Sequence, residues 1–218
     1  MSGTEFDGKV EFFDDMAQTP WLSEVHRLVA KAGGSWEDKD VLDVGCGTGR
    51  LLIGNGTEAK SITGVDLSEK MVAKAGALCT ECGMEEKASF YAGDAYELPF
   101  EDDSFDIAVS TLVVFLLPEP LKAIDEMKRV VRPGGRLAML NPGPFMGRET
   151  AMQLAEEKGF SPDSREKLGA WADVSERRHR FSPRELSKHL TDQGLVNIEH
   201  IPVLDGLGII TAADKREK

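Results

Sequence analysis

Cysteine is scarce in this chain: three residues in 218, an odd number, which argues against the disulfide framework of a small secreted domain. No apolar run approaches the roughly 20 residues that cross a bilayer, and Met1 to Asp7 has neither the basic nor the apolar region of a signal peptide. The three absences together fit a reducing compartment, no membrane span and a cytoplasmic location. Positive charge is also short. Lys and Arg number 26 against 38 Asp and Glu, a formal net charge of -12, and a field of that sign repels phosphate backbones and anionic lipid surfaces. Nucleic acid is therefore disfavoured as a substrate. No Walker-type G-x-x-x-x-G-K-S/T sequence is present, which argues against nucleoside triphosphates. The single C-x-x-C, Cys79 with Cys82, lacks a second pair or a His pair at zinc spacing. Its thiols read as helix-surface or half-buried groups in preference to a metal or redox site, so no metal is expected.

What remains is ordinary globular composition, 41% hydrophobic and 29% charged, in a length that suits one domain over residues 1–218 with an embellishment. Apolar, β-rich runs at 41–45, 61–66, 88–93, 105–111 and 136–141 predict strands, with helices after each of the first four. Successive βαβ units of this kind make an α/β, Rossmann-like doubly wound sheet. The run from Phe105 is nearly all apolar after its first two residues and belongs mid-sheet. Ahead of the core at 41–142, residues 1–40 form an N-terminal helical region, with a helix from Trp21 that ends at Gly33-Gly34. After Asn141-Pro142-Gly143-Pro144, residues 145–181 read as a helical insert or cap following strand five. Residues 182–218 supply a last helix, opened by Ser182-Pro183-Arg184-Glu185. Two strands then follow, 196–203 and 207–213, joined at Asp205-Gly206. Seven strands result, mostly parallel with an antiparallel C-terminal hairpin. A monomer and a homodimer both remain open.

The chemistry centres on Asp43-Val44-Gly45-Cys46-Gly47-Thr48-Gly49. A strand that ends in glycine and turns into a helix lets a ligand approach the main chain, since glycine carries no Cβ. The dinucleotide pattern G-x-G-x-x-G fails, because the sixth position from Gly45 is Arg50. Asp66, closing the second strand, can accept both hydroxyls of an unphosphorylated ribose. Asp94 with Ala95, after the third, can meet an adenine edge. A nucleoside without phosphates is the ligand these positions describe.

Those segments, with Gly64-Val65-Asp66-Leu67-Ser68, Gly93-Asp94-Ala95, Phe105-Asp106 and Arg132-Pro133-Gly134-Gly135, resemble the ordered motif series of class I S-adenosylmethionine-dependent methyltransferases. The likeness extends over about residues 40–141. It is nearest to the small-molecule branch that includes enzymes of ubiquinone and menaquinone biosynthesis. The resemblance implies S-adenosyl-L-methionine as cofactor and in-line methyl transfer to a small-molecule acceptor. It places the methionine moiety against Asp43 and the main chain of Gly45, Cys46, Gly47 and Gly49. Asp66 would take the ribose, Asp94 and Ala95 the adenine, and Leu67 and Met71 would pack on the purine. Ser110, Thr111 and Leu112, after the fourth strand, would complete the methionine pocket, with Phe115 reaching toward substrate. Leu112 and Phe115 read equally as core. Arg132-Pro133-Gly134-Gly135 reads as a turn without chemistry.

The motifs themselves assign no catalytic group. Of the four histidines, His26 is the candidate general base, against the plainer reading of a half-exposed helix residue. His189 and His200 fall in the last helix and strand, away from the site. Phe12, Phe13 and Trp21 either wall the sulfonium or staple the first helix, the second being preferred. Trp171 is either a pocket lid or the core of the cap. The insert is where acceptor choice is expected, because loops beyond the carboxyl ends of parallel strands frame the crevice. A binding or carrier module without turnover is the alternative function, and the acceptor itself stays open among quinone, sterol-like, amine, thiol and arsenite chemistry.

Overall fold

The computed structural model describes residues 6–217, so most of the N-terminal segment read for a targeting signal lies outside the described residues. The strands are β1 (Asp40–Val44), β2 (Ser61–Asp66), β3 (Ala88–Ala92), β4 (Phe105–Thr111), β5 (Val131–Pro142), β6 (Leu195–Val203) and β7 (Gly208–Lys215). They form one sheet in the order β3-β2-β1-β4-β5-β7-β6. The first five pair in parallel, and β7 runs antiparallel to both β5 and β6. β4 takes the middle position, and Ile107 to Ser110 are all buried, as an apolar strand covered on both faces requires. No helix among the described residues is long and apolar enough to cross a membrane.

Helices cover both faces. On one side lie α1 (Val10–Gln18), α2 (Pro20–Ala32) and α3 (Arg50–Asn55), together with the insert helices α6 (Arg148–Glu157) and α7 (Pro162–Ser175). On the other, α5 (Pro120–Val130) and α8 (Pro183–Asp192) share a core with β1, β4 and β5 through Leu42, Ala108, Ile124, Met127 and Leu190. α4 (Glu69–Glu81) packs on β2 and β3. Local chemistry sets the helix starts. Thr19, Ser68 and Ser161 each accept a backbone N–H of the first turn, and Ser182 with Glu185 forms a reciprocal capping box.

The structure departs from the sequence pattern at three places. No helix separates β3 from β4: Asp94 Oδ1 accepts the Tyr96 N–H at 2.9 Å, an isolated bridge joins Asp94 to Glu97, and Pro99 has no N–H to continue a helix. Arg132-Pro133-Gly134-Gly135 is not a free turn but a bulge within β5, where the pairing shifts between Phe105 and Ile107 of β4. A helix not anticipated, α1, precedes α2.

Candidate active site

β1 ends at Val44 and the chain turns through Gly45 to Gly49 into α3. The turn is held from below, since Gly45 N–H and Cys46 N–H both donate to the Val65 carbonyl of β2, at 2.7 and 3.0 Å. It is held from the side by Asp66, whose Oδ2 accepts Gly47 N–H and whose Oδ1 accepts Ser68 N–H, each at 2.9 Å. The three glycines have different reasons for being there, although all have positive φ. A Cβ on Gly45 would stand 2.2 Å from Val113 Cγ2, so the turn lies hard against the segment after β4. A Cβ on Gly49 would meet Ala75 and the Phe90 ring at 3.1 Å, which makes Gly49 a packing glycine between α4 and β3. At Gly47 nothing lies within 4 Å, and its backbone opens onto a cavity.

That cavity sits at the carboxyl ends of β1, β2 and β4, where the strand order reverses direction from β1 and a crevice is left open. Asp43, Gly45, Cys46, Gly47 and Asp66 border it. So do Leu67, Met71, Asp94, Ala95 and Leu112. Two expected residues do not. Gly49 faces the packing just described, and Ser110 is 1% exposed with its hydroxyl donating to the Val44 carbonyl at 2.8 Å, a tie between adjacent strands. Thr111 borders the cavity, while Phe115 is 1% exposed in the core on the short 3-10 turn Val114–Leu116.

The electrostatics of the site come from burial. Asp43 is 2% exposed and its Oδ1 has no hydrogen-bond partner among the described residues. Desolvation, with the nearby Asp66 charge second, pushes its carboxyl up to about 8. Burial also raises Asp66, against the N–H donors that favour its charge, and raises the Cys46 thiol, which stays protonated. His26, on α2, borders the same cavity, and burial lowers its imidazole to about 4, so it is neutral at pH 7. An unpartnered buried carboxylate suits an ammonium group. The open face of Gly47 admits a close main-chain approach, and the lone pairs left on Asp66 suit hydroxyls. Leu67, 41% exposed at the rim, offers bare apolar surface to a flat ring. These are the features the methionine, ribose and adenine portions of S-adenosyl-L-methionine require.

Several bordering residues escaped the sequence reading. α1 presents Phe13, Met16 and Ala17 to the cavity, α2 adds Leu22, and the segment after β4 adds Val113, Leu116, Leu117 and Pro118. α1 is fastened to the glycine turn by Arg50, whose Nε and Nη2 donate to Asp14 Oδ1 and Oδ2, both at 2.8 Å. That contact also holds the Asp14 carboxyl below its ordinary range. The helical spacing of Phe13, Met16 and Ala17 was the available signal for this roof.

No described residue of 145–181 borders the cavity. The insert instead braces the roof from outside: Trp171 stacks on Trp21, with centroids 5.8 Å apart and planes 3° from parallel, and Lys167 Nζ lies 4.4 Å from the Phe12 ring centroid. Trp171 is cap core, and the three N-terminal aromatics divide, with Phe13 at the cavity and Phe12 and Trp21 as staples. The other histidines lie elsewhere. His189 contacts Asp125 at 3.0 Å, His200 lies between Ser187 and Thr211, and His179 stacks on Phe181.

Residues 42–139 match the methyltransferase domain family. The chain is 37% identical over 121 residues to a phosphatidylethanolamine N-methyltransferase of Cereibacter sphaeroides, covering 53% of this chain and 59% of that protein. It is 38% identical over 122 residues to a demethylmenaquinone methyltransferase of Staphylococcus aureus, covering 52% and 47%. The chain thus spans about half the length of these curated relatives. A crystal structure of a SAM dependent methyltransferase from Aquifex aeolicus superimposes with a TM-score of 0.67 over 96% of this chain and 98% of that one, at 22% identity, a likeness of fold. By its motif series and these matches, the core at residues 42–139 is a methyltransferase domain of the class I S-adenosylmethionine-dependent kind, and the sheet order carries the same fold.

Proposed function

We propose that this protein transfers a methyl group from S-adenosylmethionine to a small-molecule acceptor by in-line displacement. The observation that carries the reading is the buried, unpartnered Asp43 Oδ1 beside the open face of Gly47. When bound, the cofactor supplies an activated methyl group on a sulfonium, so the protein's task is alignment and exclusion of water. Asp43 holds the ammonium end and the Gly45 to Gly47 main chain takes the rest of the methionine. Asp66 accepts the ribose hydroxyls, Asp94 and the Ala95 N–H meet the adenine, and Leu67 and Met71 cover its faces. Leu112 closes the methionine side. The α1 roof keeps water from the reacting atoms, and His26 faces the acceptor.

Support for a small acceptor comes from the net charge of -12, which opposes polyanions, and from relatives whose names specify a phospholipid and a quinone precursor. Three free thiols fit a reducing, cytoplasmic setting. Incubation with methyl-labelled cofactor and a small-molecule cell extract tests the reading. A labelled product is expected with the native protein and is lost in Gly47→Val. Tight cofactor binding with no transfer to any extract component would favour a carrier module instead.

A further inference from the structure

The cavity border has a second half that the cofactor assignment does not use. Its walls are Phe13, Met16, Leu22, Leu116, Leu117 and Pro118, all apolar. Among the described residues no lysine borders the cavity, and the one arginine that does, Arg50, is engaged with Asp14 through two 2.8 Å bonds. Tyr96 already receives the Glu119 N–H on its hydroxyl oxygen at 2.8 Å. His26 differs: it is buried, it borders the cavity one turn along α2 from Leu22, and its ring has no hydrogen-bond partner among the described residues.

We propose that the methyl acceptor is a neutral, mainly apolar molecule carrying a hydroxyl group, and that His26 holds that hydroxyl in the cavity. The proposal rests on the methyl-transfer reading of the same site. A hydroxyl both donates and accepts, so it satisfies a neutral imidazole in either tautomer. An anionic acceptor finds no free cation among the described residues here and shares the cavity with Asp66 and Asp94. A hydrocarbon of the same shape leaves the buried imidazole unsatisfied, which costs about tenfold in affinity. Burial keeps His26 uncharged at pH 7, consistent with a neutral partner.

Calorimetry on the protein loaded with S-adenosylhomocysteine, using para-propylphenol, propylbenzene and para-propylphenyl phosphate as probes, tests this. The phenol is expected to bind about tenfold or more tighter than either of the others. In His26→Leu the phenol and the hydrocarbon should bind equally while S-adenosylhomocysteine affinity is kept, and His26→Asn, which retains a donor and an acceptor, should recover part of the difference. Phosphate binding as tight as the phenol's overturns the proposal. So does absent phenol binding at millimolar concentration, or a preference that survives in His26→Leu. The comparison of probes on the native protein stands even if a variant fails to fold. If S-adenosylhomocysteine does not bind the native protein, the methyl-transfer reading itself falls and takes this one with it.

Discussion

Binding of S-adenosylmethionine is expected to expel a proton from the protein, and Asp43 is its source. Burial, with the nearby Asp66 charge second, pushes this carboxyl up to about 8, and its Oδ1 has no hydrogen-bond partner among the described residues. At pH 7 such a group is ~90% protonated. An ammonium brought against it stabilises the carboxylate, so about 0.9 proton leaves for each ligand bound. Linkage then fixes the sign of the pH dependence. The bound state holds fewer protons, so affinity rises with pH, by about tenfold per unit between roughly pH 5.5 and 7. The ligand's own amino group, with a pKa of about 7.7 to 8.0, stays charged across that window. His26 titrates below it, at about 4. Calorimetry near pH 6.5 in buffers of different ionisation heat measures the release directly, and Asp43→Asn should abolish both the release and the slope. A binding heat independent of buffer, or proton release that persists in Asp43→Asn, would refute the assignment of Asp43 to the ammonium.

The roof over the cavity gives two more predictions. Asp14→Asn leaves the Arg50 side chain, 27% exposed, without its carboxylate, and part of that charge is solvated. A stability loss of about 1 to 3 kcal/mol in denaturant unfolding is expected, with weaker cofactor binding as α1 loosens from the glycine turn; unchanged values for both would show that the pair does not fasten the roof. Trp171→Ala removes a ring that is 4% exposed and stacked on Trp21. It should lower unfolding stability by about 3 to 5 kcal/mol, and a loss well under 1 kcal/mol would show that the insert does not brace α2.

Most of the sheet was legible because its signals are local. Apolar, β-branched runs mark β1, β2 and β4, and Ser182 with Glu185 forms a cap that needs only four consecutive residues. The acidic residues at the strand ends were legible for the same reason: Asp43 next to the end of β1, Asp66 closing β2 and Asp94 two residues past β3 each border the cavity. What escaped depends on neighbours distant in the chain. Whether a glycine serves ligand or packing is decided by what its Cβ would meet, and for Gly49 that is Ala75 and Phe90. Ser110 reads as a pocket hydroxyl until its bond to Val44, 66 positions away, is seen. α1 is tied to the glycine turn through Asp14 and Arg50, 36 residues apart. The insert misled in the opposite way, because a cap after a parallel strand ordinarily frames a crevice, whereas here the Trp171 and Trp21 stack turns it to face the outer side of α2.

The most direct test is a titration of the protein with S-adenosylhomocysteine by calorimetry, on the native chain and on Asp66→Ala and Gly47→Val. One ligand per chain is expected for the native protein. Affinity should fall by about a hundredfold or more in each variant, since Asp66→Ala removes both the proposed ribose acceptor and the anchor of the Gly47 N–H, and Gly47→Val fills the open face of the turn at a φ of +53°. No binding to the native protein, or undiminished affinity in both variants, would contradict the placement of the cofactor at the glycine turn.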